Sequence, residues 1–126
     1  MLIIIFITGC VSRPGPYLFR ESVDEVESIE IVFAEDSLDF FVVKTLSRAE
    51  QDSFLEEFLM IGFYKYRFGD PDYPCGDAVR IVYRSGNYEM ICYFWSEYVR
   101  NGRIQYSSWQ YCDKTVFYDL LDKYLP

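Results

Sequence analysis

The sequence contains no histidine. Its absence removes Ser-His-Asp and Cys-His nucleophile arrangements, imidazole-ligated zinc and any proton transfer through an imidazole. Positive charge is scarce, with 12 Lys and Arg against 20 Asp and Glu and a formal net charge of −8. That balance argues against nucleic acid and against an anionic membrane surface as electrostatic partners. Long apolar runs are also missing. Leu2 to Ile7 is the most extended, and a membrane-spanning helix needs about 20 such residues.

Large apolar side chains are plentiful. Hydrophobic residues make up 51% of the 126 residues and aromatics 20%, which is enough to bury a core and excludes global disorder. The length is that of one domain. Ser28 to Phe33 alternates, with Ile29, Ile31 and Phe33 on one face, and predicts a strand. Phe40 to Val43 predicts its hairpin partner. Ser47-Arg48-Ala49-Glu50 fits a capping box, and Phe54, Leu55, Phe58 and Leu59 form one helical stripe, so a helix runs from Ser47 to about Met60. Phe63 to Phe68 is a short edge-strand candidate. Val79–Tyr83 and Tyr88–Val99 flank Arg84-Ser85-Gly86-Asn87, and Asn101-Gly102 is a strong type I′ signal joining Tyr88–Val99 to Arg103–Cys112. Asp113 then caps a last helix carrying Val116, Phe117, Leu120, Leu121 and Tyr124. The order β-β-α-β-β-β-β-α predicts an α+β domain over 28–126. It has one mainly antiparallel sheet of five or six strands, with two amphipathic helices on one face.

The turns also predict faces. A two-residue Asn101-Gly102 loop pairs Arg100 with Arg103. Counted back along an unbroken strand, it sets Phe94 opposite Trp109, Cys92 opposite Tyr111 and Ile91 opposite Cys112. Val79, Ile81 and Tyr83 then share the core face with Tyr88, Met90, Cys92 and Phe94. Tyr93, Trp95 and Tyr106 gather on the other face with Arg80 and Arg84, a candidate binding surface for a sugar or peptide. The competing reading is a second core layer under a loop or the first hairpin. One register sets Arg84 beside Glu89.

The first ten residues carry a separate message. Leu2-Ile3-Ile4-Ile5-Phe6-Ile7 leads into Thr8-Gly9-Cys10. Ile7-Thr8-Gly9-Cys10 resembles the lipobox of bacterial lipoproteins, although no Lys or Arg precedes the apolar run. The resemblance covers about a tenth of the chain. It implies that 1–9 is a cleaved signal peptide and that Cys10 becomes the lipidated first residue of the mature protein. It also implies a lipid anchor in the cell membrane, with the domain outside the cytoplasm. Val11-Ser12-Arg13-Pro14-Gly15-Pro16 reads as a tether, and the acidic stretch from Glu21 completes a lead-in over 10–27. A buried N-terminal strand is the competing reading of the apolar run.

With Cys10 acylated, three cysteines remain in an oxidising exterior. On the face assignment above, Cys92 is a buried small residue and Cys75–Cys112 is the candidate disulfide. Asp70, Asp72 and Asp77 crowd one loop as a weak metal candidate, although their spacing does not match an EF-hand. Glu89 and Glu97 fail as an acid-base pair, because eight residues of one strand span about 26 Å. Neither a cofactor nor catalysis is expected. The expected role is a binding module for a protein, peptide or envelope glycan, anchored to the membrane through Cys10. Two competitors are a cytosolic acidic immunity-type protein that masks a basic partner, and a small hydrolase using the loop aspartates.

Overall fold

The computed structural model describes residues 13–65, 76–108 and 110–126. A 3-10 turn at Val23–Glu25 leads into β1 (Val26–Ala34), β2 (Phe40–Thr45) and α1 (Arg48–Phe58). There follow β3 (Tyr64–Lys65), β4 (Gly76–Tyr83), β5 (Tyr88–Ile91), β6 (Ser96–Arg100), β7 (Arg103–Ser108), β8 (Gln110–Tyr111) and α2 (Lys114–Asp122). Six strands form one antiparallel sheet in the order β2-β1-β4-β5-β6-β7, and β3 pairs with β8 in a separate ribbon. This is the expected α+β architecture with a single main sheet.

Local chemistry sets the helix starts. Ser47 accepts from the Glu50 amide at 3.2 Å while the Glu50 carboxylate accepts from the Ser47 amide at 2.9 Å, so two orphan donors are satisfied at once. Asp113 Oδ1 accepts from the amides of Thr115 and Val116, at 2.8 and 3.1 Å, at the head of α2. Phe54 and Phe58 of α1 and Phe117, Leu120 and Leu121 of α2 are buried in one cluster with Ile29, Ile31, Val79, Ile81, Tyr83 and Ile91. Both helices therefore cover the same sheet face.

Two turns differ from expectation, and each moves side chains between faces. The Tyr83 amide donates to the Asn87 carbonyl at 2.9 Å, leaving Arg84-Ser85-Gly86 as a three-residue loop with Gly86 at φ 91°. An odd loop shifts the pairing by one residue, and a one-residue shift exchanges the faces. Val79 accordingly pairs with Ile91 and Ile81 with Glu89. Val79, Ile81 and Tyr83 do not share a face with Tyr88, Met90 and Cys92. In addition, the expected Tyr88–Val99 strand folds back on itself: Tyr88 pairs with Val99 and Ile91 with Ser96, and the Cys92 amide donates to the Trp95 carbonyl at 2.9 Å. Cys92-Tyr93-Phe94-Trp95 contains none of the residues that usually mark a turn, so the sequence hides it. Tyr111 pairs with Tyr64 rather than Cys92, while Trp109 lies outside the described residues. Asn101-Gly102 does form the expected loop, with φ of 54° and 77° and Arg100 opposite Arg103.

The opposite sheet face holds a second, smaller core. Val32, Ala34, Ala78, Met90, Cys92 and Trp95 are buried there, with Phe40, Tyr88 and Phe94 packed against them. The β1–β2 loop helps to close it, since Ser37 is fully buried and its carbonyl accepts from the Tyr88 hydroxyl at 2.6 Å.

Part of the expected lead-in belongs to the fold. Gly15 and Phe63 exchange backbone hydrogen bonds of 2.9 and 2.7 Å. Gly62 is required beside them, because a Cβ there would lie 2.8 Å from Pro14 Cβ. Tyr17 is buried, with its ring 5.2 Å from that of Phe63 and 5.7 Å from that of Phe58. Phe58→Ala is expected to destabilise the domain by about 3–5 kcal/mol, because it empties the centre of this aromatic cluster. Met60→Ala, two residues on and 83% exposed, should stay within about 0.5 kcal/mol. Urea midpoints of the two variants check the contrast.

Candidate functional site

The structure disperses the five residues of the expected binding surface. Tyr93 is half-buried against the main core, its ring 4.9 Å from Phe94 and 5.8 Å from Tyr118. Trp95 is 4% exposed and belongs to the second core, as the competing reading had it. Tyr106 is 46% exposed on β7, with the Arg20 guanidinium 3.7 Å from its ring centre. Arg80 is largely buried, bonded to Glu30 at 2.6 Å and set over the rings of Tyr88 and Phe40 at 4.2 and 4.9 Å. Arg84 is exposed and pairs with Glu25 at 3.7 Å, not with Glu89. The cause is the turn after Ile91, which separates Tyr93 and Trp95 from the strand expected to display them.

Cys10, Asp70, Asp72 and Cys75 fall outside the described residues. Asp77 sits in β4 opposite Phe33. Among the described residues, no group of three or more Cys, Asp and Glu side chains is placed to hold a metal ion. Cys112 is a free, buried thiol, its pKa pushed up to about 12 by burial, with the neighbouring Asp113 and Cys92 adding to the rise. Cys92 is buried as expected, with Sγ 3.0 Å from the Trp95 carbonyl oxygen. Among the described residues, no helix is long and apolar enough to cross a membrane.

Two buried carboxylates organise the polar interior instead. Glu89, 1% exposed, lies on the helix-covered face of β5. Its Oε1 accepts from the Arg20 amide at 2.7 Å and from the Tyr83 hydroxyl; its Oε2 accepts from the Tyr17 hydroxyl at 2.7 Å. Ser96 Oγ stands 2.6 Å from the Tyr17 oxygen. Burial raises the Glu89 pKa above the ordinary 4.5, and the hydrogen bonds from Tyr83, Arg20 and Tyr17 only partly offset it. Burial and the adjacent Glu89 carboxylate hold both tyrosine hydroxyls well above their ordinary value.

Glu97 is the counterpart on the opposite face. Its Oε1 accepts from Ser37 and its Oε2 from Ser107 at 3.2 Å. Glu97 pairs with Met90, the neighbour of Glu89, so the two carboxylates point to opposite faces. They do fail as a catalytic pair, but because of the β5–β6 hairpin and not because of separation along one strand.

Nearer the surface, Glu21 accepts from Tyr98 at 2.7 Å, from Asn87 at 3.1 Å and from Ser85 at 3.0 Å. Burial opposes its ionisation, but these hydrogen bonds prevail and hold its pKa below the ordinary value. Glu21, Arg20, Leu18 and Tyr17 thus sit in one short segment stitched across β5, β6 and β8, with the Leu18 amide donating to Gln110 Oε1 at 2.8 Å. Sequence reasoning weighed Glu89 only as half of a rejected acid-base pair and beside Arg84, and it missed Tyr17 and the buried tie between them. The available signal was one carboxylate inside the apolar run Tyr88-Glu89-Met90-Ile91-Cys92. Between the helices lies a groove of about 270 Å³, lined by Glu57, Ile61, Val116, Asp119, Leu120 and Lys123. Comparison with protein-family models, curated proteins and solved structures finds no match to the chain.

A pH dependence follows from Glu89. A carboxyl whose folded pKa is raised binds its proton more tightly in the folded state. Its stabilising contribution is complete below the unfolded value near 4.5 and is lost as pH rises through the folded value. Urea midpoints of the wild type and Glu89→Gln, compared from pH 5 upward, should show the wild type losing stability relative to the variant as the pH rises. A constant difference across that range contradicts the assignment.

Proposed function

We propose that the chain is a small bacterial lipoprotein, anchored outside the cytoplasm by lipid on Cys10, whose domain is a non-catalytic binding module for a protein, peptide or envelope glycan. The observation that carries this reading is Ile7-Thr8-Gly9-Cys10 at the end of a short apolar segment. The position of the fold relative to that cysteine supports it. Among the described residues, backbone pairing begins at Gly15, five residues beyond Cys10, and five extended residues reach about 17 Å. A bilayer-bound Cys10 would therefore hold the domain close to the membrane surface. No charged side chain lies within 1–9, so removal of the signal peptide leaves the side-chain charge at −8. A body of that charge is repelled by anionic headgroups and offers its outward surface to a partner.

The non-catalytic half of the reading draws on how the acidic groups are used. Glu89 and Glu97, the most buried carboxylates among the described residues, are engaged by the chain's own hydroxyls and, at Glu89, an amide. Each holds one piece of chain to another, which is a structural use of charge.

Intact-mass analysis of the protein purified from bacterial membranes should find Cys10 as the N-terminus, carrying acyl mass. Globomycin should instead cause a longer, lipid-bearing precursor to accumulate. Cys10→Ser should carry no lipid and leave the Leu2–Ile7 segment uncleaved. An unmodified Cys10 with Met1 to Gly9 retained in the wild type would overturn the proposal.

A further inference from the structure

The outer strands of the main sheet, β2 and β7, carry one cation each: Lys44 of β2 is paired with Glu50, and Arg103 of β7 forms no ion pair with a described residue. β7 is one edge, and no described strand pairs with its outer side. Every residue from Arg103 to Ser107 is exposed, Ile104 at 41%. Arg100 and Arg103 flank the turn that starts the strand, and Arg20 reaches its far half by lying over Tyr106. All three arginines are exposed. The ion pairs of the domain use Lys44, Arg80, Arg84 and Lys123 with Glu50, Glu30, Glu25 and Glu57. Arg20, Arg100 and Arg103 form none with the described residues. A chain of net charge −8 thus gathers three exposed arginines along this edge, with Arg100 near Glu21 and Arg20 near Glu89 but neither in a direct ion pair with a described residue.

An open edge is a template for another strand: its backbone groups supply affinity, and its side chains select the partner. Ile104 and Tyr106 are exposed there, on opposite faces because their partners Val99 and Tyr98 are neighbours on β6, and Arg103 is the charged side chain of the strand itself. A second copy is a poor occupant of this edge, because pairing two β7 strands would bring six arginines together. β7 also carries an extra residue at Gln105, since Tyr98 pairs with Tyr106 and Val99 with Ile104. Such a bulge strengthens the local twist and resists flat self-stacking. An extended acidic segment meets no like charge and, not being fixed in a sheet of its own, can follow the local twist. Resting on the reading of the domain as a binding module, we infer that β7 is its docking edge and that the ligand is an extended, acidic peptide segment of a partner protein, added as a seventh strand with its carboxylates on Arg20, Arg100 and Arg103.

The test uses the full chain, labelled with nitrogen-15 and held in neutral detergent, titrated with an eight-residue peptide of alternating Glu and Val. The same peptide with Lys in place of Glu is the control. Intact mass of the sample reports the state of Cys10 independently. The acidic peptide should shift and protect the amides from Arg103 to Ser108, bind less tightly as salt is added, and bind about tenfold more weakly to Arg103→Glu and to Arg20→Gln. Both arginines are exposed, and an unchanged amide spectrum away from β7 shows that each variant folds. The assignment is overturned if the acidic peptide leaves β7 unmoved, if the Lys peptide binds equally well, or if the amide shifts follow protein concentration and not peptide. Failure on a chain carrying lipid at Cys10 sinks the docking edge alone. Binding by a chain with unmodified Cys10 keeps the edge and sinks the membrane address.

Discussion

The buried carboxylate of Glu89 is the constraint on which the rest of this domain depends. A charge inside an apolar interior is tolerable only when its lone pairs are occupied. β4 supplies one donor, the Tyr83 hydroxyl, through the register set by the three-residue loop. The other two, the Tyr17 hydroxyl and the Arg20 amide, come from a segment far away in sequence. Removing that segment would leave a carboxylate half-satisfied under the helices. The residues before β1 are therefore part of the folded unit, and the Gly15–Phe63 pairing and the aromatic cluster of Tyr17, Phe58 and Phe63 follow from the same docking.

The second face repeats the device with a different segment. Glu97 draws Ser37 of the β1–β2 loop inward and meets Ser107 from β7. Arg80, between Glu30 and the rings of Tyr88 and Phe40, neutralises charge on that same face. One sheet thus carries a large apolar core under two helices and a smaller one under a loop. A polar tie is set into each. Hydroxyl groups supply most of the donors to the two carboxylates, in keeping with a chain that has 12 tyrosines and no histidine.

Much of the scaffold was legible in the sequence because its signals are local. Ser47 and Glu50 announce α1, Asp113 announces α2, and Asn101-Gly102 announces the β6–β7 turn. The faces were harder to read, for two physical reasons. Arg84 to Asn87 contains good turn residues but does not say whether the loop has two or three members, and that one residue decides which side chains are buried. Cys92 to Trp95 turns the chain without a glycine, proline, asparagine or aspartate. Together these moved Trp95 into a core, took Tyr93 toward α2 and left Tyr106 alone with Arg20. The ties at Glu89 and Glu97 join residues about 60 or more positions apart, which no local pattern reports.

The arrangement places an N-terminal strap, a sealed acidic interior and an arginine-bearing outer edge on one small domain. Hydrogen exchange of the Arg20 backbone amide addresses the strap most directly, because its only acceptor in the hydrogen-bonding pattern above is Glu89 Oε1, at 2.7 Å. The account predicts that this amide exchanges as slowly as those of β5, opening only with the domain. Exchange at the rate of an unstructured chain, while β5 stays protected, would contradict it.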